Sequence, residues 1–245
     1  MYTLWLALRS IVFYSGYGLL TLWFGGSAML ICWMMPRQWR HNYVNTWNRL
    51  VVGWLRICCG VKYEVIGAEH IPHQPLVVLA KHQSQWETFY LQLLFTPMST
   101  ILKKELLKVP GFGWGLRQLN PIAIDRSNPK EALRQIQQQG LQRLKEGLSV
   151  LVFPEGTRMT PGESGKYARG GANLATSANV PVVFVAHNAG DYWPARGFLK
   201  FPGRITVVIS DVIDTAGKTS REITDMAQQW IEDQVTRIRA NAFAG

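Results

Sequence analysis

Two short strings in this sequence combine residue types that can move a proton and hold an anion. The first is Lys81-His82-Gln83-Ser84-Gln85-Trp86-Glu87, which follows the apolar run Leu76–Ala80 and leads into Trp86–Leu91. Imidazole titrates near neutrality, so His82 is suited to take a proton from an attacking hydroxyl. A carboxylate on its second nitrogen would fix the tautomer and stabilise the imidazolium that forms. Glu87 stands five residues on, an offset that does not align along one continuous helix at about 100° per residue. The pairing works if His82 is on a turn and Glu87 in the first turn of a helix. Ser84 and Glu87 also have capping-box spacing, so the same carboxylate is a candidate for tying back a helix start, with His82 an ordinary loop histidine.

The second string is Phe153-Pro154-Glu155-Gly156-Thr157-Arg158, which ends another apolar run, Ser149–Phe153. Gly156 lets a backbone approach a ligand, Thr157 adds a hydroxyl, and Arg158 offers a planar fork that matches a phosphate. Glu155 is placed to position that Arg or a neighbouring backbone amide. Read alone, the string is also compatible with a turn holding a structural Glu–Arg pair.

Both strings must be presented by regular elements. Apolar runs predict strands at Lys62–Ile66, Leu76–Ala80, Thr100–Lys103, Pro121–Ile124, Ser149–Phe153, Val182–Ala186 and Ile205–Ser210. Several are short and continuously apolar, as in strands covered on both faces. Helical segments lie between them. The clearest runs from Pro129 to Glu146, with Asn128 as N-cap, Gly147 as terminator and Leu133, Ile136, Gly140 and Leu144 on one face. A last helix, Ser220–Ala240, opens with Thr219 and Glu222 at capping-box spacing. Strands alternating with helices predict an α/β domain with a mixed, largely parallel sheet flanked by helices. In open sheets of that kind ligands gather at strand-to-helix junctions, where both strings fall.

The N-terminal segment differs from the rest. The 26 residues from Ser10 to Met35 carry no charged side chain, long enough to cross a hydrocarbon core of about 30 Å. Arg9, Arg37, Arg40, Arg49, Arg56 and Lys62 come before the first acidic residue, Glu64, so this segment supplies +6 of the net +10. Six of the ten Trp residues lie there too. Indole and guanidinium groups around a long apolar run belong at headgroup depth, which makes the charge a bilayer footprint and not a nucleic-acid one. The expected division is a membrane anchor at 1–40, spanning or re-entrant, followed by a catalytic domain at 41–245. Residues 42–59 show helical spacing at Trp47, Leu50, Val51, Trp54, Leu55 and Cys58, closed by Gly60. Arginines concentrated after the apolar run predict that the following domain faces the cytoplasm. Cys32, Cys58 and Cys59 are expected to be reduced, and no His stands at zinc-ligand spacing from the pair.

Taken together, His82-x4-Glu87, Phe153-Pro154-Glu155-Gly156-Thr157-Arg158 and Val180-Pro181-Val182 resemble the motif series of glycerolipid acyltransferases, above all bacterial 1-acyl-sn-glycerol-3-phosphate acyltransferases. Leu102-Lys103-Lys104-Glu105-Leu106 and Ile124-Asp125-Arg126 fit further blocks of that series, so the resemblance runs in order from about Leu76 to Val185. One departure is Glu87, where the family usually has Asp. The resemblance implies transfer of an acyl chain from acyl-CoA or acyl-acyl carrier protein, as co-substrate, to the sn-2 hydroxyl of lysophosphatidate, at the cytoplasmic side of a bacterial inner membrane. It implies His82 as general base and Glu87 as its orienting partner. Lys104, Arg126, Glu155, Gly156, Thr157 and Arg158 would form the phosphate pocket, with no metal and no cofactor. Another acceptor, such as lyso-ornithine lipid or glycerol 3-phosphate, and a non-catalytic lipid-binding role are the competing readings.

Overall fold

All seven expected strands form. The computed structural model describes residues 1–125 and 127–243. Its strands are β1 Val61–Ile66, β2 Val77–Ala80, β3 Met98–Lys103, β4 Ile122–Ile124, β5 Ser149–Val152, β6 Val182–His187 and β7 Gly203–Ile209. They build one sheet in the order β1-β7-β6-β2-β5-β3-β4. Every neighbouring pair is parallel except β6 and β7. Strands β6, β2, β5, β3 and β4 therefore point the same way and end at one edge of the sheet. In register, Val77 of β2 sits between Val150 of β5 and Val182 of β6.

Eight α-helices surround the sheet among the described residues: α1 Tyr2–Ile31, α2 Arg37–Cys59, α3 Trp86–Leu94, α4 Phe112–Arg117, α5 Pro129–Lys145, α6 Gly170–Ala178, α7 Ala189–Tyr192 and α8 Ser220–Phe243. Side chains of a strand alternate between its faces, so each central strand feeds two cores. Val78, Ala80, Leu151, Val183 and Val185 pack with Phe13 of α1, Trp47, Val51 and Leu55 of α2 and Phe89 of α3. Val77, Leu79, Val150, Val152 and Phe184 pack on the opposite face with Leu174 of α6, Leu144 of α5 and Ile223, Ala227 and Ile231 of α8. Burial on both faces is why β2, β5 and β6 read as unbroken apolar runs.

The helix ends follow local chemistry. Asn128 Oδ1 accepts the N–H of Glu131 at 3.2 Å, and Pro129 occupies the first turn, where no intrahelical donor is lost. Thr219 and Glu222 cap α8 reciprocally: the Thr219 N–H donates to Glu222 Oε2 at 2.7 Å and the Glu222 N–H to Thr219 Oγ1 at 3.2 Å. Gly60 ends α2 in the left-handed conformation (φ +69°), with its N–H on the Arg56 carbonyl.

Three expectations need correction or refinement. On α5 the buried line is Ala132, Ile136, Gly140 and Leu144, and Leu133 is 45% exposed, one step off that row. On α2 the buried stripe runs through Val44, Trp47, Val51, Leu55 and Cys59, whereas Leu50 is exposed. The third concerns the N-terminus. Residue 40 lies inside α2, and α1 packs along the domain. Leu6, Phe13 and Ala28 of α1 are buried, Ser10 Oγ accepts the Lys200 N–H at 2.9 Å, and Gly25 crosses the backbone of Gly111 so closely that a Cβ would lie 1.9 Å from its carbonyl oxygen. Burying a side chain such as Phe13 stabilises this docking by about 2 kcal/mol. The outer side of α1 is apolar as well, with Leu4, Leu8, Ile11, Leu19, Leu22 and Trp23 all exposed.

Candidate active site

His82 is two residues beyond the last residue of β2, on the turn that leads into α3. Ala80 and Lys81 continue the pairing with β6, the Lys81 N–H donating to the Val185 carbonyl at 2.9 Å. The chain then turns before Trp86, and this turn brings residues five apart together. His82 Nδ1 lies 2.9 Å from Glu87 Oε1, and both side chains are largely buried, Glu87 wholly so. The same oxygen accepts the N–H groups of Gln83 (3.0 Å) and Ser84 (2.8 Å), and Ser84 Oγ accepts the Trp86 N–H at 3.1 Å. Glu87 thus serves both roles that its spacing allowed: it ties back the start of α3 and holds His82.

Electrostatics fix the proton positions. Burial alone pushes the Glu87 carboxyl up, but the hydrogen bond from His82, the nearby His187 and His82 rings and the Ser84 N–H outweigh it, so its pKa falls below the ordinary carboxylate value. An ionised carboxylate only accepts, so the proton of neutral His82 sits on Nδ1 and Nε2 carries the lone pair. Nε2 has no hydrogen-bond partner among the described residues. His187, at the end of β6, supports the neighbouring backbone. Its Nε2 donates to the Lys81 carbonyl at 2.9 Å and its Nδ1 accepts the Ala189 N–H at 3.2 Å. Complete burial holds its pKa below the usual histidine value, despite Glu87 nearby, which keeps the ring neutral.

The second string leaves β5, the strand beside β2, and is stitched to the first. The Met159 N–H donates to the His82 carbonyl at 2.8 Å, and Arg158 Nε donates to the Ser84 carbonyl at 2.8 Å. Phe153 stacks on the His82 ring, with centroids 4.0 Å apart and planes 15° from parallel. Gly156 adopts φ +69° in a tight turn closed by its N–H on the Phe153 carbonyl (3.0 Å), a conformation that favours glycine. Gly156, Thr157 and Arg158 are exposed beside the buried His82. With Nε engaged by Ser84, the guanidinium still offers its outer N–H groups to an anion.

Glu155 differs from the expectation of a phosphate contact. It is buried, one oxygen accepts the His82 N–H at 3.0 Å, and the other is taken by Lys81 Nζ (2.7 Å) and the Gly165 N–H (3.3 Å). A carboxylate held this way, and of the same charge as phosphate, positions the main chain of His82 and offers no donor to an anion. Lys104 begins the segment after β3, two strands from β2 and hence about 10 Å across the sheet. It is exposed and ion-paired with Asp125, whose hydrogen bond raises the ammonium pKa and whose own carboxyl is held far below its usual range. Arg126 lies outside the described residues. Lys81, Phe153 and His187 escaped the sequence reading as functional residues. Most of their partners come from elements far away in the chain, so only a lysine placed directly after a wholly apolar strand hinted at a buried role.

Comparison with known proteins identifies the family. The acyltransferase family model matches residues 62–188, which takes in β1 through β6 and both strings. A 1-acyl-sn-glycerol-3-phosphate acyltransferase of Pseudomonas aeruginosa is 44% identical over 236 residues, covering 95% of this chain and 92% of that protein. The enzyme of the same name from Saccharomyces cerevisiae is 28% identical over 86% of this chain and 70% of its own length. The crystal structure of the 1-acyl-sn-glycerophosphate acyltransferase from Thermotoga maritima superposes with a TM-score of 0.83 at 24% identity, covering 98% of both chains, and so shares the fold. This chain belongs to the acyltransferase family, beside relatives named 1-acyl-sn-glycerol-3-phosphate acyltransferase.

Proposed function

We propose that the chain acylates the sn-2 hydroxyl of 1-acyl-sn-glycerol 3-phosphate, taking the acyl group from acyl-CoA or acyl-acyl carrier protein and giving phosphatidate. The observation that carries this reading is the His82–Glu87 pair, with Nε2 open and Arg158 hydrogen-bonded to the same turn. His82 Nε2 takes the proton of the acceptor hydroxyl as its oxygen attacks the thioester carbonyl. The imidazolium, stabilised by ionised Glu87, then returns the proton to the departing thiolate. The attack is direct, so no acyl-enzyme forms. Arg158, with Gly156 and Thr157 beside it, receives the acceptor phosphate, and Lys104 extends that pocket along the strand ends. The donor is a co-substrate, and this chemistry calls on no metal or other cofactor.

The lipid acceptor is met at a bilayer. One helix, Tyr2–Met34, is long and apolar enough to cross a membrane. Because Leu6, Phe13, Gly25 and Ala28 dock along nearly all of α1, the geometry favours immersion in one leaflet beside the domain over a free-standing span. Exposed Trp23, Trp33 and Trp39 would lie at the interface, and exposed Arg49 and Arg56 would meet anionic headgroups at the cytoplasmic side of an inner membrane. The test is a transfer assay on the purified chain in mixed micelles, with both donors and with acceptors bearing or lacking the phosphate. Wild type should acylate lysophosphatidate, and His82→Ala should lose about 10³-fold in kcat. Near-wild-type turnover by His82→Ala would remove the base from this scheme.

A further inference from the structure

Beneath the candidate site lies a charged cluster, buried at Lys81 and Glu155 and partly exposed at Glu232, that the transfer chemistry does not use. Lys81 Nζ is fully buried and donates to three acceptors, Glu155 Oε1 at 2.7 Å, Glu232 Oε1 at 2.8 Å and the Glu163 carbonyl at 3.0 Å. These satisfy all three protons of the ammonium. Glu232 is on α8, beyond the span matched by the acyltransferase family model. Tyr167 adds a hydroxyl that donates to the same Glu232 oxygen at 2.9 Å. Burial, with Glu155 and Glu232 nearby, pushes this phenol far above its usual pKa, so it remains a donor. A continuous chain of hydrogen bonds therefore runs from α8 through Lys81 to Glu155, whose second oxygen holds the His82 N–H at 3.0 Å.

We propose that Glu232, Lys81 and Tyr167 are positioning residues of the acyltransferase centre, locking Glu155 and through it the main chain of His82. This inference rests on reading His82 as the base. Stability alone does not account for the cluster. Taking a lysine and carboxylates out of water is costly, and apolar packing of the same volume commonly serves a core as well or better. The cluster instead stands where placement matters most. The amide of His82 is held by Glu155, its carbonyl by Met159, and the preceding carbonyl by His187. A shift of about 1 Å in a catalytic group is sufficient to cost about 10²-fold in rate. The helix that completes this hold is supplied from outside the matched segment.

The experiment uses the full chain in mixed micelles, with kcat and the KM for lysophosphatidate measured for Glu232→Gln, Lys81→Met, Tyr167→Phe and Glu155→Gln. Glu232→Gln keeps shape and removes charge. It should lower kcat about tenfold with KM unchanged within about twofold, and Lys81→Met should lower kcat about 10²-fold. Asp233→Asn removes a charge from the same helix turn on its solvent side and should leave both constants alone. In a Glu155→Gln background the Glu232→Gln change should add little, because both act through one contact. Glu232→Gln with wild-type kcat, a kcat loss matched by an equal KM rise, or additive losses in the double variant would each overturn the proposal. Should Lys81→Met not fold, Glu232→Gln and Tyr167→Phe decide the matter. His82→Ala, run alongside, separates the two claims: an active His82→Ala sinks the proposed base, whereas an inactive one beside a fully active Glu232→Gln sinks only the role of the cluster.

Discussion

Glu87 meets His82 through a single oxygen: Oε1 accepts from His82 Nδ1 and from two main-chain N–H groups, while the buried Oε2 has no hydrogen-bond partner among the described residues. Replacement by Gln retains an acceptor at the Oε1 position and deletes the charge that would stabilise an imidazolium in the proposed reaction. We expect Glu87→Gln to lower kcat by about 10²- to 10⁴-fold with little change in melting temperature. Glu87→Asp, one methylene shorter, should weaken both the His82 contact and the tie to the start of α3, so that activity and melting temperature fall together. Turnover of Glu87→Gln within about threefold of wild type would show that the charge is not used.

Arg158 holds the Ser84 carbonyl with Nε and keeps its outer N–H groups for a ligand. Arg158→Ala should raise the KM for lysophosphatidate at least about tenfold while leaving the donor KM within about twofold. Arg158→Lys should not restore it, since one ammonium cannot both reach Ser84 and grip a phosphate with a two-pronged fork. Equal effects on the two substrates would place this guanidinium elsewhere in the reaction.

Two adjacent glycines on α1 give opposite expectations. A Cβ on Gly25 would overlap the Gly111 carbonyl, whereas one on Gly26 meets nothing within 4 Å. Gly25→Ala must push α1 off α4 and should destabilise by about 1–3 kcal/mol. Gly26→Ala should stabilise by about 0.5–1 kcal/mol through helix propensity. Thermal melts in one detergent compare them directly, and similar shifts of both would mean that α1 does not dock as described.

His41 on α2 is buried with both ring nitrogens lacking a hydrogen-bond partner among the described residues, and burial, with Arg37 nearby, lowers its pKa from 6.5 to about 4. Between those values the unfolded chain binds a proton that the folded chain refuses, so stability must fall as the pH drops from about 6.5 to about 4. The full effect is about 3 kcal/mol. Urea midpoints measured across that range should slope less steeply for His41→Leu than for wild type. Parallel slopes would show that this ring is already solvated or charged.

Strands β2, β5 and β6 were legible because each is a short, mostly apolar run between turns, and burial on both faces leaves no alternation to misread. His82, Glu87 and Arg158 were legible for a related reason, since each follows a strand end within a few residues. The docking of α1 was not. Its inner and outer faces are both apolar, so a 3.6-residue period carries no sign of which side meets the domain. Nor was Lys81, whose partners lie 74 and 151 residues away in the chain. No local pattern encodes a pairing that depends on β5 and α8 closing over the end of β2. Glu155 was legible in part: its neighbours in sequence allowed either an anion site or a hold on a backbone amide, and in space it takes the amide of His82, 73 residues away.

Phe153 covers one whole side of the imidazole like a lid laid flat upon it. A ring shielded in this way cannot swing over to greet a substrate from above; it must be approached along its rim, at the nitrogen that Glu87 leaves free. Since the aromatic shield and the Arg158 guanidinium belong to one six-residue turn, slipping that stretch by a single position would uncover the imidazole and shift the guanidinium at once, and the two cannot drift apart independently.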